Sequence, residues 1–338
     1  MLKFEELRND SIVIVVQVHK RITYLRHLIV SLAQARDISQ TLLIFSHDFY
    51  DEEINELVQS IDFCKVMQIF YPFSIQMHPN EFPGTDPKDC KRDMKKDQAL
   101  VTNCQNAQFP DLYGHYREAS FTQTKHHWWW KANRVFDQLE ATRYHTGLVL
   151  FLEEDHYVAE DFLHQLIAMQ AAVPVYCPNC NVITLGKYDA ELNNRTSDKV
   201  ESSPWISSEH NMGMAFNRST WNKLKSCSKV FCSFDDYNWD WSLQHASYQC
   251  MKSKLVVMAV QGPRVFHIGE CGLHHQADDC DAVGLTKIQD HLKNVTSFMF
   301  PSNLTFIATQ AENPFNPKAN GGWADIRDIT LCLSISLN

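Results

Sequence analysis

Residues 147–157 read Gly-Leu-Val-Leu-Phe-Leu-Glu-Glu-Asp-His-Tyr, an apolar run that stops at three consecutive carboxylates. The apolar part, 148–152, predicts a buried central strand of an α/β sheet. Ligands of open α/β sheets bind beyond the carboxyl ends of the strands, so the carboxylates at 153–155 are expected in such a crevice. Followed by His156, they suit a divalent cation that holds a phosphate. The alternative is a solvated acidic turn that caps a helix starting near Asp161.

The segment before this strand predicts alternating strands and helices. Strands are expected at 11–18, 41–46 and 65–71, and helices at 22–36 and 52–59. This order is typical of a doubly wound nucleotide-binding sheet. No Gly-x-Gly-x-x-Gly follows the first strand, which argues against a dinucleotide cradle of that type.

The remaining pattern is less regular. A Pro-, Asp- and Lys-rich excursion loop is expected between the third strand and the next helix. Helices are then predicted at 121–139, 161–169 and 219–226, and strands at 182–186, 212–216, 255–260 and 265–268. Three adjacent tryptophans in the first of these helices face three directions, so at least one is expected in the core.

Composition limits the class of protein. The chain has 338 residues, 44% hydrophobic and 21% charged, which indicates an ordinary globular protein built as one large α/β domain or two intimate ones. Its net charge of −9 argues against a nucleic-acid partner. No apolar run approaches the roughly 20 residues of a membrane span, and the first residues do not resemble a signal peptide.

Cysteine usage favours an oxidising compartment. The chain has 11 cysteines, more than a reduced cytosolic protein usually carries, and we expect one of them to stay a thiol. An alternative for Cys177-Pro-Asn-Cys180 is half a zinc site or a redox pair, although a partner CxxC for zinc is absent. Asn-x-Ser/Thr sequons, compatible with secretion, start at Asn9, Asn194, Asn217, Asn294 and Asn303.

Two further clusters suit chemistry at an acidic strand end. In the segment 235–241, Asp-Asp-Tyr-Asn-Trp-Asp-Trp, Asp240 lies between two indoles, and a desolvated carboxylate there is a usable general base. The alternative is a helix start capped by Asp235 or Asp236, with buried tryptophans. In the second cluster, His267 ends a short apolar strand, where a neutral imidazole could complete a metal site begun by Asp155; the alternative is a core or surface histidine.

Five segments together resemble the N-acetylglucosaminyltransferase II family. They are Lys-His-His-Trp-Trp-Trp-Lys at 125–131, Phe-Leu-Glu-Glu-Asp-His-Tyr at 151–157, Glu-His-Asn-Met-Gly at 209–213, Asp-Asp-Tyr-Asn-Trp-Asp-Trp at 235–241 and Asn-Gly-Gly-Trp-Ala-Asp-Ile-Arg-Asp at 320–328. The resemblance runs from Gln17 to Cys332, nearly the whole chain, and it favours chemistry over the structural alternatives.

The resemblance implies a GT-A glycosyltransferase fold, in which a Rossmann-like UDP-sugar half is merged with a smaller acceptor-binding half. We expect a residual N-terminal arm at 1–10 and one catalytic domain at 11–338, with the nucleotide-sugar half at about 11–186 and the acceptor half at about 187–338. The implied reaction transfers GlcNAc from UDP-GlcNAc to the 2-hydroxyl of the α1,6-arm mannose of an N-glycan, with inversion.

The resemblance also implies roles for single residues. Glu153-Glu154-Asp155 is a variant of the Asp-x-Asp motif at the donor, and Asp155 with His267 would hold Mn²⁺ on the diphosphate. The base would be Asp240, on the face of the sugar opposite the leaving group, as in inverting glycosidases. The expected nucleotide contacts are Asp48 and Arg92, and the expected acceptor contacts are Asn211 and Trp239.

The disulfides implied by the resemblance use ten cysteines and leave Cys64 free. They are Cys90–Cys104, Cys177–Cys180, Cys227–Cys250, Cys232–Cys332 and Cys271–Cys280. Members of the family are type II membrane proteins of the Golgi lumen, so an anchor and stem are expected upstream of this sequence. The partners implied are glycoprotein N-glycans, with a homodimer also compatible.

Two rival functions stay open from the sequence. One is a related β1,2-GlcNAc-transferase that uses another mannose acceptor. The other is a glycan-binding module that kept the fold and lost turnover, although Asp155, Asp240 and His267 are all present.

Overall fold

The computed structural model describes residues 7–8, 10–188, 190–269, 283–307 and 318–337. Its strands are β1 Val13–Val18, β2 Leu42–His47, β3 Lys65–Phe70, β4 Val149–Glu153, β5 His156–Val158, β6 Val182–Thr184, β7 Lys199–Pro204, β8 Met214–Phe216, β9 Val256–Val260, β10 Val265–His267 and β11 Thr305–Ile307. Nine of these strands form one mixed sheet in the order β11-β7-β9-β6-β8-β4-β1-β2-β3, and β5 pairs with β10 in an antiparallel ribbon.

Helices cover both faces of the sheet. They are α1 Ile22–Gln34, α2 Glu52–Gln59, α3 Lys96–Thr102, α4 Ala119–Asn133, α5 Phe162–Tyr176, α6 Ser207–His210, α7 Arg218–Ser226, α8 Ser228–Ser233, α9 Trp239–Gln249, α10 Val283–Val295 and α11 Ile326–Leu337. A π-helical turn, Arg134–Gln138, prolongs α4, and 3₁₀ turns lie at Ile38–Gln40 and Thr296–Phe298.

The first strand shows why the sheet is buried on both faces. Ile14 and Val16 pack in the core that contains α1 and α5, whereas Val13 and Val15 pack in the core on the opposite face. Alternate residues of a strand point to opposite faces, so a continuous β-branched run supplies both cores. The second core is the one that takes up Trp128 and Trp129 of α4, which confirms the expectation of a core tryptophan.

The predicted elements are present, with shifted ends. Helix α5 continues past the predicted end at 169 to Tyr176, with Pro174 inside its last turn. Three strands were not predicted, namely β5, β7 and β11: two have only three residues, and β7 is mostly polar, so none shows a clear hydrophobic period. Because one sheet contains strands from 13 to 307, the predicted nucleotide-sugar and acceptor halves share it.

Four of the five expected disulfides are present: Cys90–Cys104, Cys177–Cys180, Cys227–Cys250 and Cys232–Cys332. The fifth expected pair, Cys271–Cys280, lies outside the described residues. The bonded state of the CxxC pair contradicts the zinc alternative. Cys64 is a buried thiol whose pKa burial raises to about 12.

The C-terminal segment folds back onto the second core. Helix α11 packs on α4 and α8, and the Cys232–Cys332 bond ties it to the end of α8. Among the described residues, none of the helices combines the length and the hydropathy that crossing a bilayer requires.

Candidate active site

The carboxyl ends of three parallel strands lie side by side at the proposed crevice. In the register of the sheet, Gln17 at the end of β1 is paired with Ser46 of β2 and with Glu153 of β4. The backbone N–H of Glu154 then donates to the Gln17 carbonyl over 3.0 Å, which continues the alignment past the strand end. Groups that follow the strands, including Asp48, are therefore gathered at one edge.

Glu154 is fixed by the turn that follows β1. The backbone N–H of His19 donates to Glu154 Oε2 over 2.7 Å, and Arg21 Nε donates to Oε1 over 2.8 Å. Burial raises the pKa of Glu154, while the charge of Arg21 opposes that rise. Glu154 and Asp155 are both buried, so the alternative of a solvated acidic turn is wrong. Asp161, the residue before α5, caps nothing with its side chain and pairs with buried Arg264 instead.

Asp155 and His267 are brought together by the ribbon of β5 and β10. His267 Nε2 lies 3.1 Å from Asp155 Oδ2, and Arg21 Nη2 lies 2.9 Å from the same oxygen. Burial alone would raise the pKa of Asp155, but the hydrogen bond from His267 and the charge of Arg21 hold it well below its usual value. The same hydrogen bond raises the pKa of His267.

These groups fit a divalent cation. Asp155 Oδ1 is buried and has no hydrogen-bond partner among the described residues, although a buried carboxylate oxygen normally has one. A Cβ at Gly269 would lie 2.5 Å from Asp155 Oδ2, so the glycine leaves space beside this carboxylate. Within the described ranges no cluster of three His, Cys, Asp or Glu side chains could enclose an ion. Asp155 and His267 could therefore supply two of the ligands, and phosphate and water oxygens would have to supply the others.

Asp48 is held between two histidines just after β2. Its Oδ1 lies 2.5 Å from His19 Nδ1, and its Oδ2 lies 3.3 Å from His127 Nδ1. His127 is fixed in turn by Ser46 Oγ at 2.8 Å from its Nε2. Burial works against ionisation of Asp48, yet the hydrogen bonds of His127 and His19 keep its pKa well below the usual value. Half-exposed His19 leaves this acceptor within reach of a ligand in the crevice.

Buried helix α4 places a lysine under the strand ends. Lys131 is almost fully buried, and its Nζ donates to Gln17 Oε1 over 2.5 Å. Burial lowers the pKa of Lys131, and the charges of Glu153 and Asp48 oppose that effect. Two basic side chains therefore lie near the carboxylates of the crevice. Lys131 of α4 is near Glu153 and Asp48, and Arg21, which follows β1, is bonded to Glu154 and Asp155.

Asp240 lies in the first turn of α9 with 9% of its surface exposed. Asn211 Nδ2 donates to Asp240 Oδ2 over 3.0 Å, and the Trp241 N–H donates to Oδ1 over 2.9 Å. Burial raises the pKa of Asp240 to about 6, and the charge of Glu153 contributes to the rise. A carboxylate with such a pKa is suited to accept a proton near neutral pH.

Tyr188 completes this end of the site and was missed from the sequence. Its hydroxyl donates to Asn211 Oδ1 over 3.1 Å, which gives a chain from Tyr188 through Asn211 to Asp240. Burial raises the pKa of Tyr188 to about 12, with contributions from the charges of Glu153, Asp240 and Asp155. The acids of both clusters therefore raise the pKa of the same tyrosine, so the two clusters lie close together. Its position in the loop after β6 has no periodicity that could have identified it.

The expectation that Asp235 or Asp236 caps helix α9 is wrong. The cap position is Asn238, so neither Asp235 nor Asp236 caps the helix. Both aspartates instead bind the returning chain: Asp236 Oδ2 accepts from the Asn320 N–H over 2.8 Å, and Asp235 Oδ1 from the Trp323 N–H over 2.9 Å. The acids thus hold the loop that leads to Asp240.

The structure also limits two of the expected ligand contacts. Trp239 is 7% exposed and stacks on Trp128, with parallel rings 4.5 Å apart, so one face of its indole is occupied. Arg92 is half-exposed on the excursion loop, where it pairs with Asp93 and Glu118 rather than with a carboxylate of the strand ends.

Comparison with known proteins identifies the family of this chain. The sequence model of the protein family N-acetylglucosaminyltransferase II (MGAT2) matches residues 1–332. The chain is 49% identical over 327 residues to the α-1,6-mannosyl-glycoprotein 2-β-N-acetylglucosaminyltransferase of Sus scrofa, covering 96% of this chain and 73% of that protein. It is 48% identical to the Homo sapiens enzyme of that name, with 96% and 73% covered, and 36% identical to the Arabidopsis thaliana one, with 98% and 76% covered. The chain belongs to the N-acetylglucosaminyltransferase II family.

Proposed function

We propose that this chain transfers GlcNAc from UDP-GlcNAc to the 2-hydroxyl of the α1,6-arm mannose of N-glycans, with inversion at the anomeric carbon. The observation that carries the proposal is the placement of Asp240: a buried carboxylate, oriented by Asn211, whose pKa the charge of Glu153 at the acidic strand end helps to raise. Relatives of that enzyme name match nearly the whole chain, which supports the same reaction here.

The donor would bind at the strand ends. Asp155 and His267 would hold a divalent cation, which we expect to be Mn²⁺, against the diphosphate. When bound, the cation neutralises the negative charge that grows on the departing UDP. Asp48, presented by His19 and His127, is suited to accept hydrogen bonds from the nucleotide, and Arg92 would reach it only by leaving Glu118.

The two remaining acids have separate tasks in this proposal. Glu154 is bonded to Arg21 and to the His19 N–H, so it orients the turn that follows β1. In the part of the chain that the structure describes, Glu153 has no such partner on its carboxylate, and its charge influences both Asp240 and Tyr188. That position suits a contact with the sugar of the donor, between the diphosphate and the base.

Asp240 would remove the proton from the attacking hydroxyl. Its bonds to Asn211 Nδ2 and the Trp241 N–H fix the carboxylate before the acceptor arrives, so little reorganisation is needed during the reaction. Attack on the face opposite the leaving UDP gives the β-linkage. Asn211 then acts on the acceptor through Asp240, and half-exposed Tyr188 is a better candidate for direct acceptor contact than buried Trp239.

The cysteines support a place of action in the secretory pathway. Four disulfides need an oxidising compartment, which fits the Golgi lumen expected for this family. The acceptors would be N-glycans on glycoproteins that pass through this compartment.

The test is UDP release from UDP-GlcNAc with a GlcNAc-terminated Man₃ core acceptor, with Mn²⁺ and then with a chelator. We expect metal-dependent turnover that Asp240→Asn abolishes, whereas Asp290→Asn on the surface of α10 leaves it unchanged. Product methylation analysis should place the new linkage at the 2-position of the α1,6-arm mannose.

Other outcomes would select the rivals. Turnover only with a different mannose acceptor would favour a related β1,2-GlcNAc-transferase. Acceptor binding without any UDP release by the folded, disulfide-bonded protein would favour a glycan-binding module and overturn the enzyme proposal.

A further inference from the structure

Three of the four described sequons lie on one face of the molecule, formed by the turn before β7, by α10 and by the segment before β11. Leu192, two residues before Asn194, packs in the same small apolar cluster as Leu292 and Val295, which flank Asn294 in α10. The sequons at 194 and 294 therefore border the same apolar cluster, although 100 positions separate them in the sequence.

The third sequon is tied to the same face by a strand pair. Thr305, the hydroxyl residue of the Asn303 sequon, is paired with Lys199 at the start of β7. Its N–H donates to the Asp198 carbonyl over 2.8 Å, and its Oγ1 donates to Asp198 Oδ2 over 2.6 Å. Asn303 thus lies beside the turn that contains Asn194.

The asparagines of this face are accessible. Asn194, Asn294 and Asn303 are all exposed. In the described part of the chain, the side chains of the first two make no hydrogen bond, and that of Asn303 reaches Ser302 Oγ only at 3.5 Å. Each side-chain nitrogen can hold a glycan without loss of a contact that the fold needs.

The fourth described sequon, at Asn217, differs from the other three in burial and in hydrogen bonding. Asn217 is the N-cap of α7, half-buried, and its side-chain oxygen accepts from the Thr220 N–H over 3.2 Å. N-cap side chains contribute about 1 kcal/mol to a helix, and a sugar on this amide would have to share the space next to the capped turn. The sequon pattern alone treats this site like the others.

We infer that the protein has N-linked glycans at Asn194, Asn294 and Asn303 and none at Asn217. In the covalent step, the side-chain amide nitrogen forms a bond to C1 of an oligosaccharide on a lipid diphosphate donor. The C1–O bond to phosphate breaks, the lipid diphosphate leaves, and the amide loses one proton. The inference rests on the proposed secretory location and not on the transfer activity.

A glycosylated face here has a physical consequence. Strand β11 is an edge of the nine-stranded sheet, and exposed edge strands tend to pair with other chains. A glycan at Asn303, two residues before this strand, would shield the edge. Strand β11 is five strand spacings from β4, about 24 Å at roughly 4.8 Å per strand, so that glycan leaves the carboxylate crevice open.

The experiment maps occupancy on the full chain, directed to the secretory pathway of a eukaryotic cell by an added leader. The purified protein is treated, in heavy-oxygen water, with an amidase that removes N-glycans and leaves aspartate. Peptide mass spectrometry then reads each sequon. We expect the heavy label at Asn194, Asn294 and Asn303 and an unmodified asparagine at 217; label at 217, or an unlabelled asparagine at any of the other three positions, overturns the inference.

Variants give an independent reading. Asn194→Gln, Asn294→Gln and Asn303→Gln should each remove the mass of one glycan, and the triple variant should show no glycan on any of the four described sequons. UDP release by the triple variant should stay within about twofold of the wild type, because none of the three residues touches the crevice. A secreted, disulfide-bonded protein that is active and lacks all three glycans would overturn this inference and leave the proposed reaction intact.

Discussion

Asn211 Nδ2 lies 3.0 Å from Asp240 Oδ2 and holds the buried carboxylate from a different element, the short turn after α6. The same amide accepts from the Tyr188 hydroxyl through its oxygen, so one asparagine links an exposed phenol to a buried acid. Three separate segments therefore determine the orientation of one carboxylate. The behaviour of Asp240 with pH should report on this arrangement.

The first prediction concerns the pH dependence of the rate. Burial raises the pKa of Asp240 to about 6, and a general base acts only when deprotonated. We therefore expect kcat/KM to rise with pH, to reach half its maximum near pH 6 and to level off above it. The measurement is UDP release from pH 4.5 to 8, with Mn²⁺ saturating at every pH. A profile that is flat down to pH 4.5 would place the base elsewhere.

The second prediction removes the amide partner of the base. A hydrogen bond to a charged group contributes about 1.5 kcal/mol, so Asn211→Leu should move the acidic limb of the rate profile to higher pH by about one pH unit. The rate at pH 7 should also fall, because the carboxylate loses its orientation. Asn303→Gln, at an exposed position, is the matched control. An unchanged limb with a lower rate would limit Asn211 to acceptor binding.

The third prediction concerns the cation. Asp155→Asn and His267→Gln should each weaken Mn²⁺ binding in the presence of UDP by at least about tenfold, since even groups one shell further out commonly contribute that much. Electron paramagnetic resonance of free Mn²⁺ measures this without turnover. The control is His78→Gln, a surface histidine paired with Glu81. Equal Mn²⁺ affinity in all three proteins would contradict the assignment of Asp155 and His267.

The sequence predicted those parts of the site that follow directly from a regular strand. The acids at 153–155 come directly after an apolar run, whose strand pattern predicts them at the crevice. Asp48 was expected only from the resemblance, and the parallel register brings the end of its strand beside theirs. The two-sided burial of β1 was predictable for the same reason, since a β-branched run has no polar face.

The features of the site that local sequence patterns did not predict depend on contacts between residues that are far apart in the chain. Tyr188 was missed, and Asn211 was expected only from the resemblance. Both lie in loops, and a chain of hydrogen bonds to Asp240 of α9, which no local pattern encodes, makes them relevant. Asp235 and Asp236 have the composition of helix caps, but segment 320–323 returns from far along the chain and takes up their oxygens. Tertiary contacts thus override local propensity at these positions.

The fourth prediction compares two disulfides. The Cys232–Cys332 bond closes a loop of 100 residues, whereas Cys177–Cys180 spans three. In the chain-entropy model the long loop contributes about 4.7 kcal/mol and the short one under about 2. Replacing both cysteines of the long loop by alanine should therefore lower the free energy of unfolding by about 2–5 kcal/mol in urea. Equal losses from both double variants would show that α11 is held by its packing alone.

The last prediction concerns a buried ionic cluster beneath the excursion loop. Asp328 Oδ2 lies 2.8 Å from Arg117 Nε, and Asp328 Oδ1 lies 2.9 Å from His126 Nε2, with all three side chains buried. Burial opposes ionisation, but the charge of Arg117 and the hydrogen bond of His126 lower the pKa of Asp328 below 3.8. A lowered folded-state pKa means that the contribution to stability is complete above the unfolded value and is lost as pH falls through the folded one.

At pH 8, where Asp328 is fully ionised, Asp328→Asn should therefore reduce the free energy of unfolding by about 3 kcal/mol, because the buried Arg117 guanidinium then keeps only its longer pair with Asp89, at 3.4 Å. Urea unfolding followed by tryptophan fluorescence is the measurement, since Trp323 packs against His126. Asp290→Asn, which breaks only an exposed pair with Lys293, should stay within about 0.5 kcal/mol of the wild type. If the two variants are equally stable, the α4–α11 contact is held by its apolar side chains and the disulfide, and the ionic cluster contributes no net stability.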